Sequence, residues 1–469
     1  MQLQSLYIKN YKIIENCKVI FVPKGGYPNY YYDYFDNNSF TVLIGENGNG
    51  KTTLMSFLVN IFHNLQRYHY RIPSNFTLNY KIHINSEEKV VLLEKEEGNI
   101  FVTVENHLPR SLLLEYHLQR GYVVKTYQKQ FKNLVTYEDI RKFLPANVIT
   151  SVFSMHGEYP SKRPPKFIGD QIVHQYNISD IYGFNHFNFS SLSKGIRRFL
   201  EIYYQDSSAL DDFLDLLNLK FCKQVYVRLR NTPPWNLLVN YDDFYNRRKE
   251  DVELERLINN YFDREEDTWI SLDNSNYKEI IQSEQREWFY LNDLLFEKNG
   301  DQLFLGNMSS GEKMFFIRVL SLLSSIEDNS LIVIEEPELH LNPAWTKQII
   351  TMLQMLFSKY KVHFVISTHS HSFINTVFPE NLIFAQNKKF LNPDPMINTF
   401  LGNEAEINNR FFTNSKTNNY IEQRLWEKIG HHNVTELETI LEYLGESYIK
   451  FKIFNILMRE KGIDEDVES

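Results

Sequence analysis

The stretch Phe40-Thr41-Val42-Leu43-Ile44-Gly45-Glu46-Asn47-Gly48-Asn49-Gly50-Lys51-Thr52-Thr53 decides how the rest of this chain is read. A short run of β-favouring apolar residues enters a glycine-rich turn, and from Lys51 to Gln66 the pattern becomes helical. Residues 45–52 match G-x-x-x-x-G-K-[ST] in full, in the strand–turn–helix setting that gives the motif its meaning. Glycines let successive backbone N–H groups curl around phosphates, and the helix N-terminus adds partial positive charge. Gly45, Glu46, Asn47, Gly48, Asn49, Gly50 and Thr53 are therefore candidates for a phosphate cradle. Lys51 is placed to reach the β- and γ-phosphates, and Thr52 to offer its hydroxyl to Mg²⁺. A chance glycine turn ahead of a helix is the competing reading.

Three further stretches carry chemistry. Leu331-Ile332-Val333-Ile334-Glu335-Glu336-Pro337 reads as a buried strand that ends in two acids. Neighbouring side chains on a strand point to opposite faces, so the two carboxylates cannot share one task. Glu335 is the candidate for the Mg²⁺ shell, and Glu336 for orienting or deprotonating an attacking water. Met308-Ser309-Ser310-Gly311-Glu312-Lys313 precedes a long apolar helix expected from Glu312. Ser309, Ser310 and Gly311 at a helix N-terminus form an anion site; alone, the same residues are a good N-cap. Val365-Ile366-Ser367-Thr368-His369-Ser370 is a β-run that delivers His369 at its C-terminal end.

Composition narrows the class. The 469 residues allow two to four domains, and 43% apolar with 23% charged residues is an ordinary globular balance. The 35 Phe and 29 Tyr are read as core material before stacking surfaces. A formal net charge of −9 argues against a protein whose main task is coating nucleic acid. Two distant cysteines, Cys17 and Cys222, exclude a disulfide scaffold and a four-cysteine zinc site. No secretory leader or apolar run of membrane-spanning length is visible, so a cytoplasmic protein without a membrane domain is expected.

The order of phosphate loop, serine-glycine signature, acid pair and terminal histidine resembles ABC-type ATPases. More narrowly it resembles the soluble heads of the RecF, SMC and overcoming-lysogenisation-defect (OLD) group. Lys9-Asn10-Tyr11-Lys12 is similar to that group's Asn-aromatic-basic element, which implies that Lys12 contacts nucleotide. Glu336-Pro337-Glu338-Leu339-His340-Leu341-Asn342-Pro343 resembles the group's E-P-E-x-H-L-x-P form. The resemblance implies ATP and Mg²⁺ as ligands, Glu336, His369 and Lys51 as catalytic residues, and Thr52 with Glu335 at the metal. It also implies an ATP-dependent head-to-head dimer of two copies, in which Ser309, Ser310 and Gly311 of one close on the nucleotide of the other. Glu335 stands where Asp is usual, and Glu312 where transporters carry Gln. The lid glutamine is missing: Asn147–Phe153 and Ser154-Met155-His156 occupy its place without one.

The implied fold is α/β, an ABC-ATPase head with a mixed-sheet N-lobe, a RecA-like core, a helical insertion and a helical C-terminal tail. Residues 1–195 are assigned to the N-lobe, 196–300 to the helical insertion, 301–395 to the C-lobe and 396–469 to the tail. Tyr27 to Asn38 is expected to be a loop or hairpin tip, and Val90–Leu93 with Ile100–Val104 an antiparallel pair. No Asp-x-Asp on a β-run follows His369, so the OLD-type nuclease is not expected; Asp464-Glu465-Asp466 sits in the acidic end. Arg424 and His431 have the spacing of a helical ribonuclease family, a less favoured alternative. The favoured expectation is a regulatory ATPase similar to Septu-type anti-phage ATPases, controlling a separate nuclease or toxin. A RecF-like DNA-repair ATPase is the alternative, with Lys162-Arg163, Lys166 and Arg247-Arg248-Lys249 as candidate DNA contacts; DNA or a phage component is thus a further possible ligand.

Overall fold

The computed structural model describes residues 1–23, 25–65, 72–112, 116–119, 122–125, 133–151, 159, 173–176, 189–229, 252–253, 256–257, 259–262, 268–339, 341, 343–393, 399–402, 429, 434–444 and 448–460. The chain divides into two compact units, Met1–Glu404 and Ala405–Ser469. The apolar run ahead of the glycine turn is the strand Ser39–Ile44, with all six residues buried. It lies in a seven-stranded sheet ordered Val173–Tyr176, Asn147–Ser151, Leu331–Glu335, His363–Thr368, Ser39–Ile44, Leu382–Gln386, Lys389–Leu391. Neighbours are parallel except at the final hairpin. Strands buried on both faces need near-continuous apolar sequence, which Leu331–Ile334 and Phe364–Ile366 supply. The register sets Glu335 opposite Ser367, and Thr368 opposite Ile44. Three chain segments therefore leave the sheet side by side, at one edge.

A second seven-stranded sheet is built from Gln2–Tyr11, Ile14–Ile20, Phe76–Ile84, Glu87–Glu96, Asn99–Val104, Arg110–Leu112 and Leu134–Val135. It contains the expected antiparallel pair, with Leu93 opposite Val102. The helix Lys51–Leu65 is buried on nearly every side, including Leu54, Met55, Phe57, Leu58, Ile61 and Phe62. One apolar cluster runs from Leu6, Leu78 and Leu93 of this sheet through that helix to Leu43, Val333 and Val365 of the other. A helix that is apolar all round is one covered on both faces.

Two expectations are corrected. Tyr27 to Asn38 is not a plain loop: it contains the helix Tyr31–Phe35, with Tyr31 and Phe35 buried. Tyr27 stacks on Tyr31 at 3.9 Å, and Phe35 packs against Phe40 and Phe378. Aromatic residues four apart gave this polar-looking segment a buried face. The region 196–300, read as helical, contains an antiparallel sheet ordered Thr268–Ser271, Lys220–Leu229, Phe289–Lys298, Asp301–Phe304. Register shifts between Phe221 and Val225, and between Tyr226 and Val227, break the alternation that would have marked Lys220–Leu229 as a strand. The helices Phe189–Gln205 and Ser310–Leu323 pack on this sheet through Phe199, Phe221, Phe296 and Phe316. These phenylalanines are core material, as composition suggested. The two helices approach closely at Gly195, where a Cβ would stand 2.3 Å from the Leu320 carbonyl oxygen.

The second unit contains the helices Val434–Tyr443 and Tyr448–Glu460, joined through buried Leu437, Ile453 and Leu457 with Ile429. Arg424, His431 and Asp464-Glu465-Asp466 lie outside the described residues. So do Met155-His156, Lys162-Arg163, Lys166 and Arg247-Arg248-Lys249. Among the described residues no helix is long and apolar enough to cross a membrane.

The two large sheets are tied together at His363, which is fully buried. Its Nδ1 accepts from the backbone N–H of Leu3 at 2.8 Å, so the proton resides on Nε2, which faces Thr41 Oγ1 at 2.8 Å. Burial holds the imidazole neutral, with a pKa lowered from 6.5 to about 3. A proton on Nδ1 would break the Leu3 bond. The unfolded chain takes up this proton near pH 6.5 and the folded chain does not, so stability is lost as pH falls below 6.5. The contribution is at most about 1.4 kcal/mol per pH unit and vanishes above pH 6.5. Thermal unfolding from pH 8 to pH 4 should show this fall, and His363→Gln should flatten that component of the profile.

Candidate active site

The turn after Ser39–Ile44 works because of where its glycines sit. Gly45 has φ +153°, and a Cβ there would lie 2.2 Å from the Ala385 carbonyl oxygen on the neighbouring strand. Gly50 has φ +92°, and a Cβ would press on Ile13 at 3.2 Å. The tip of the first hairpin, Tyr11 to Ile14, is thus seated against the loop, with the Tyr11 ring 5.0 Å from Phe57 of the following helix. Lys12 occupies the turn of that hairpin at φ +54°, its ammonium 5.4 Å from the Tyr11 ring centre. The loop crest, Glu46 to Gly48, is exposed, whereas Lys51 is only 6% exposed. Thr52 and Thr53 are half-buried in the first helical turn.

Lys51 folds its ammonium onto the loop, donating to the carbonyls of Gly45 at 2.6 Å and Glu46 at 3.3 Å. The same nitrogen lies 3.0 Å from His369 Nε2. His369 Nε2 in turn stands 3.1 Å from Glu336 Oε1. Three residues far apart in sequence meet because their strands end together at the sheet edge. Burial lowers the Lys51 pKa, against the carboxylates of Glu336, Glu338 and Glu335, which raise it. Burial, then the Lys51 charge, lowers that of His369. Burial, then the Glu338 carboxylate, raises that of Glu336.

The two acids diverge because the strand ends between them, not by strand alternation. Glu335 is the last residue of its strand and 4% exposed; its Oε1 accepts from the Tyr159 hydroxyl at 2.9 Å. Glu336 turns away at φ +41°, its N–H bonded to the Ser367 carbonyl at 2.9 Å, and its carboxylate faces His369. A left-handed conformation at a non-glycine residue costs about 1–2 kcal/mol. The hydrogen bond to Ser367 helps hold it.

Sequence reasoning assigned no role to two residues here. Glu338 Oε1 accepts from Thr368 Oγ1 at 2.5 Å, from the His369 N–H at 2.9 Å and from the Ser370 N–H at 3.2 Å. It fixes the turn that carries His369, and its place in the E-P-E run was the available signal. Tyr159 follows the strand Asn147–Ser151, where a glutamine was sought, and no motif marks it. His340 and Asn342 lie outside the described residues.

The signature residues begin a helix, as expected, although two residues earlier than Glu312. Ser309 is the N-cap of Ser310–Leu323, and Ser309 with Glu312 forms a reciprocal capping box. Gly311 is buried in the first turn.

Comparison with known proteins places the chain in a family. The chain belongs to the AAA ATPase domain family, whose model matches residues 1–287; its motif order makes it an ABC-type member. A second AAA domain model, whose description includes the words Type IV TA system, matches residues 206–375. The chain is 22% identical over 423 residues to the Retron Vc95 probable ATPase of Vibrio cholerae serotype O1 biovar El Tor, covering 81% of this chain and 76% of that protein. It is 30% identical over 113 residues to the Retron Ec83 probable ATPase of Escherichia coli, a match spanning 22% of this chain and 20% of that protein. Among solved structures it is similar to the SMC head domain from Thermotoga maritima, with 13% identity, 84% of this chain and 100% of that one covered, and a TM-score of 0.37.

Gly45 and Gly48 separate two effects in the loop. A Cβ at Gly48, φ +80°, meets nothing within 4 Å, whereas one at Gly45 collides with backbone. Gly48→Ala should cost about 1–2 kcal/mol from conformation alone. Gly45→Ala should cost a further 1–3 kcal/mol or so by forcing strands apart. Denaturant unfolding of the nucleotide-free variants measures the difference.

Proposed function

We propose that this chain is an ATP-driven switch whose catalytic unit is a pair of its own heads. The meeting of Lys51, His369 and Glu336 at one sheet edge, with Glu335 turned aside toward Tyr159, carries this reading. The backbone of residues 45–53 and the Lys51 ammonium bind the phosphates, and Lys12, in the hairpin turn whose Ile13 abuts Gly50, contacts the nucleotide. Thr52 and Glu335 offer hard oxygen donors of the kind Mg²⁺ prefers, and they suit an ion held mainly by phosphates and water. Bound there, Mg²⁺ would neutralise charge on the transferred phosphoryl group.

Glu336 orients the attacking water and accepts its proton, and His369 senses the γ-phosphate from the neighbouring strand. Ser309, Ser310 and Gly311 of a second copy close on that phosphate. ATP binding then joins the heads, and hydrolysis releases them, so the turnover times an association.

The names of the two relatives place them in retrons, which supports an anti-phage role for this chain. In that role the ATP-dependent assembly would restrain or license a separately encoded nuclease or toxin.

Glu336→Gln should lower ATP turnover by about 10²-fold or more and accumulate an ATP-bound dimer, read by light scattering with a phosphate-release assay. Turnover at the parental rate would remove Glu336 from the role of base. Lys51→Ala should abolish ATP binding and, in cells that the parental chain protects against phage, abolish that protection. Protection that survives Lys51→Ala would sink the switch reading.

A further inference from the structure

The signature turn is held by the strand Phe289–Lys298 from both of its ends. Asp293 Oδ1 accepts from the Leu305 N–H at 2.8 Å and its Oδ2 from the Gly306 N–H at 3.3 Å, fixing the approach to the signature. At the other end Lys298 pairs with Glu312 Oε1. The second Glu312 oxygen, Oε2, accepts from both the N–H and the hydroxyl of Ser309, at 3.1 and 2.6 Å. One carboxylate thus holds the signature serine on one side and a lysine on the other.

That arrangement poses an electrostatic problem. Glu312 adjoins Gly311, at the helix end that has to receive a polyanionic triphosphate. A free carboxylate there opposes both the phosphate and the positive end of the helix dipole that attracts it. The pair is partly shielded, with Lys298 31% and Glu312 20% exposed, so its charges are only partly screened by solvent.

We propose that Lys298 is a positioning residue for nucleotide-driven association: it neutralises Glu312, so that the signature can approach the phosphates held by a second copy. The inference rests on the reading that Ser309, Ser310 and Gly311 act across a dimer. Its chemistry is electrostatic. Removing Lys298 exposes the Glu312 charge to the incoming phosphate, and removing the Glu312 charge makes Lys298 dispensable.

The test uses the full chain carrying Glu336→Gln, with ATP and Mg²⁺ added and association measured by analytical ultracentrifugation. Lys298→Met should weaken ATP-dependent association about ten-fold or more, with monomer affinity for a fluorescent ATP analogue and the melting temperature unchanged. Lys298→Arg should preserve association. Adding Glu312→Gln to Lys298→Met should restore it, because Gln at that position keeps the capping box and drops the charge. In a chain that already carries Glu312→Gln, loss of Lys298 should have no effect. Undiminished association of Lys298→Met overturns the inference, as does failure of Glu312→Gln to rescue it. Absence of ATP-dependent association in the parent itself overturns the dimer reading and this inference with it, a result distinct from failure in the variants alone.

Discussion

The structure depends on the parallel register of three neighbouring strands, Leu331–Glu335, His363–Thr368 and Ser39–Ile44. Parallel strands run in one direction, so their C-terminal ends share an edge of the sheet, and chain segments leaving there converge. With Glu335 opposite Ser367 and Thr368 opposite Ile44, the residues just beyond those ends become neighbours. Lys51, Glu336 and His369 owe their contacts to this alignment. A slip of one residue in either pairing would exchange the faces of every side chain on the strand and separate the acid from the histidine.

Everything packed around that edge maintains it. The helix that starts at Lys51 is gripped between two sheets, so the phosphate loop is attached to a largely buried element. Gly45 lets the loop pass against the strand Leu382–Gln386, and Gly50 lets the first hairpin press against it from the other side. His363 links the sheets directly through the Leu3 N–H, within the same strand that delivers His369. Stability and site geometry are coupled here because the same strands supply both.

A large part of the site was legible in the sequence. The phosphate loop needs particular residue types at fixed spacing, because glycine alone tolerates its backbone and its close approaches. The acid strand announced itself as four apolar residues followed by two acids, but the separate directions of Glu335 and Glu336 come from the backbone turn at Glu336, just beyond the strand end. Less was legible between the motifs. Strand Lys220–Leu229 carries bulges that break its period, and the helix Tyr31–Phe35 owes its buried face to aromatic residues in a polar-looking stretch. Glu338 could be quoted as part of a motif, but its three hydrogen bonds to the histidine turn could not.

The sequence by itself determined the local features: a glycine-rich turn into a helix, a strand ending in adjacent acids, a capped helix start and a strand-borne histidine. Each is a short-range property, set by backbone conformation and side-chain type within a few residues. Tertiary structure alone decided which of these groups meet. It set His369 between Lys51 and Glu336, gave Glu335 the Tyr159 hydroxyl, and laid Lys298 against Glu312. Such contacts depend on strand order and register, which arise from burying apolar surface over the whole sheet and which no single stretch of sequence encodes.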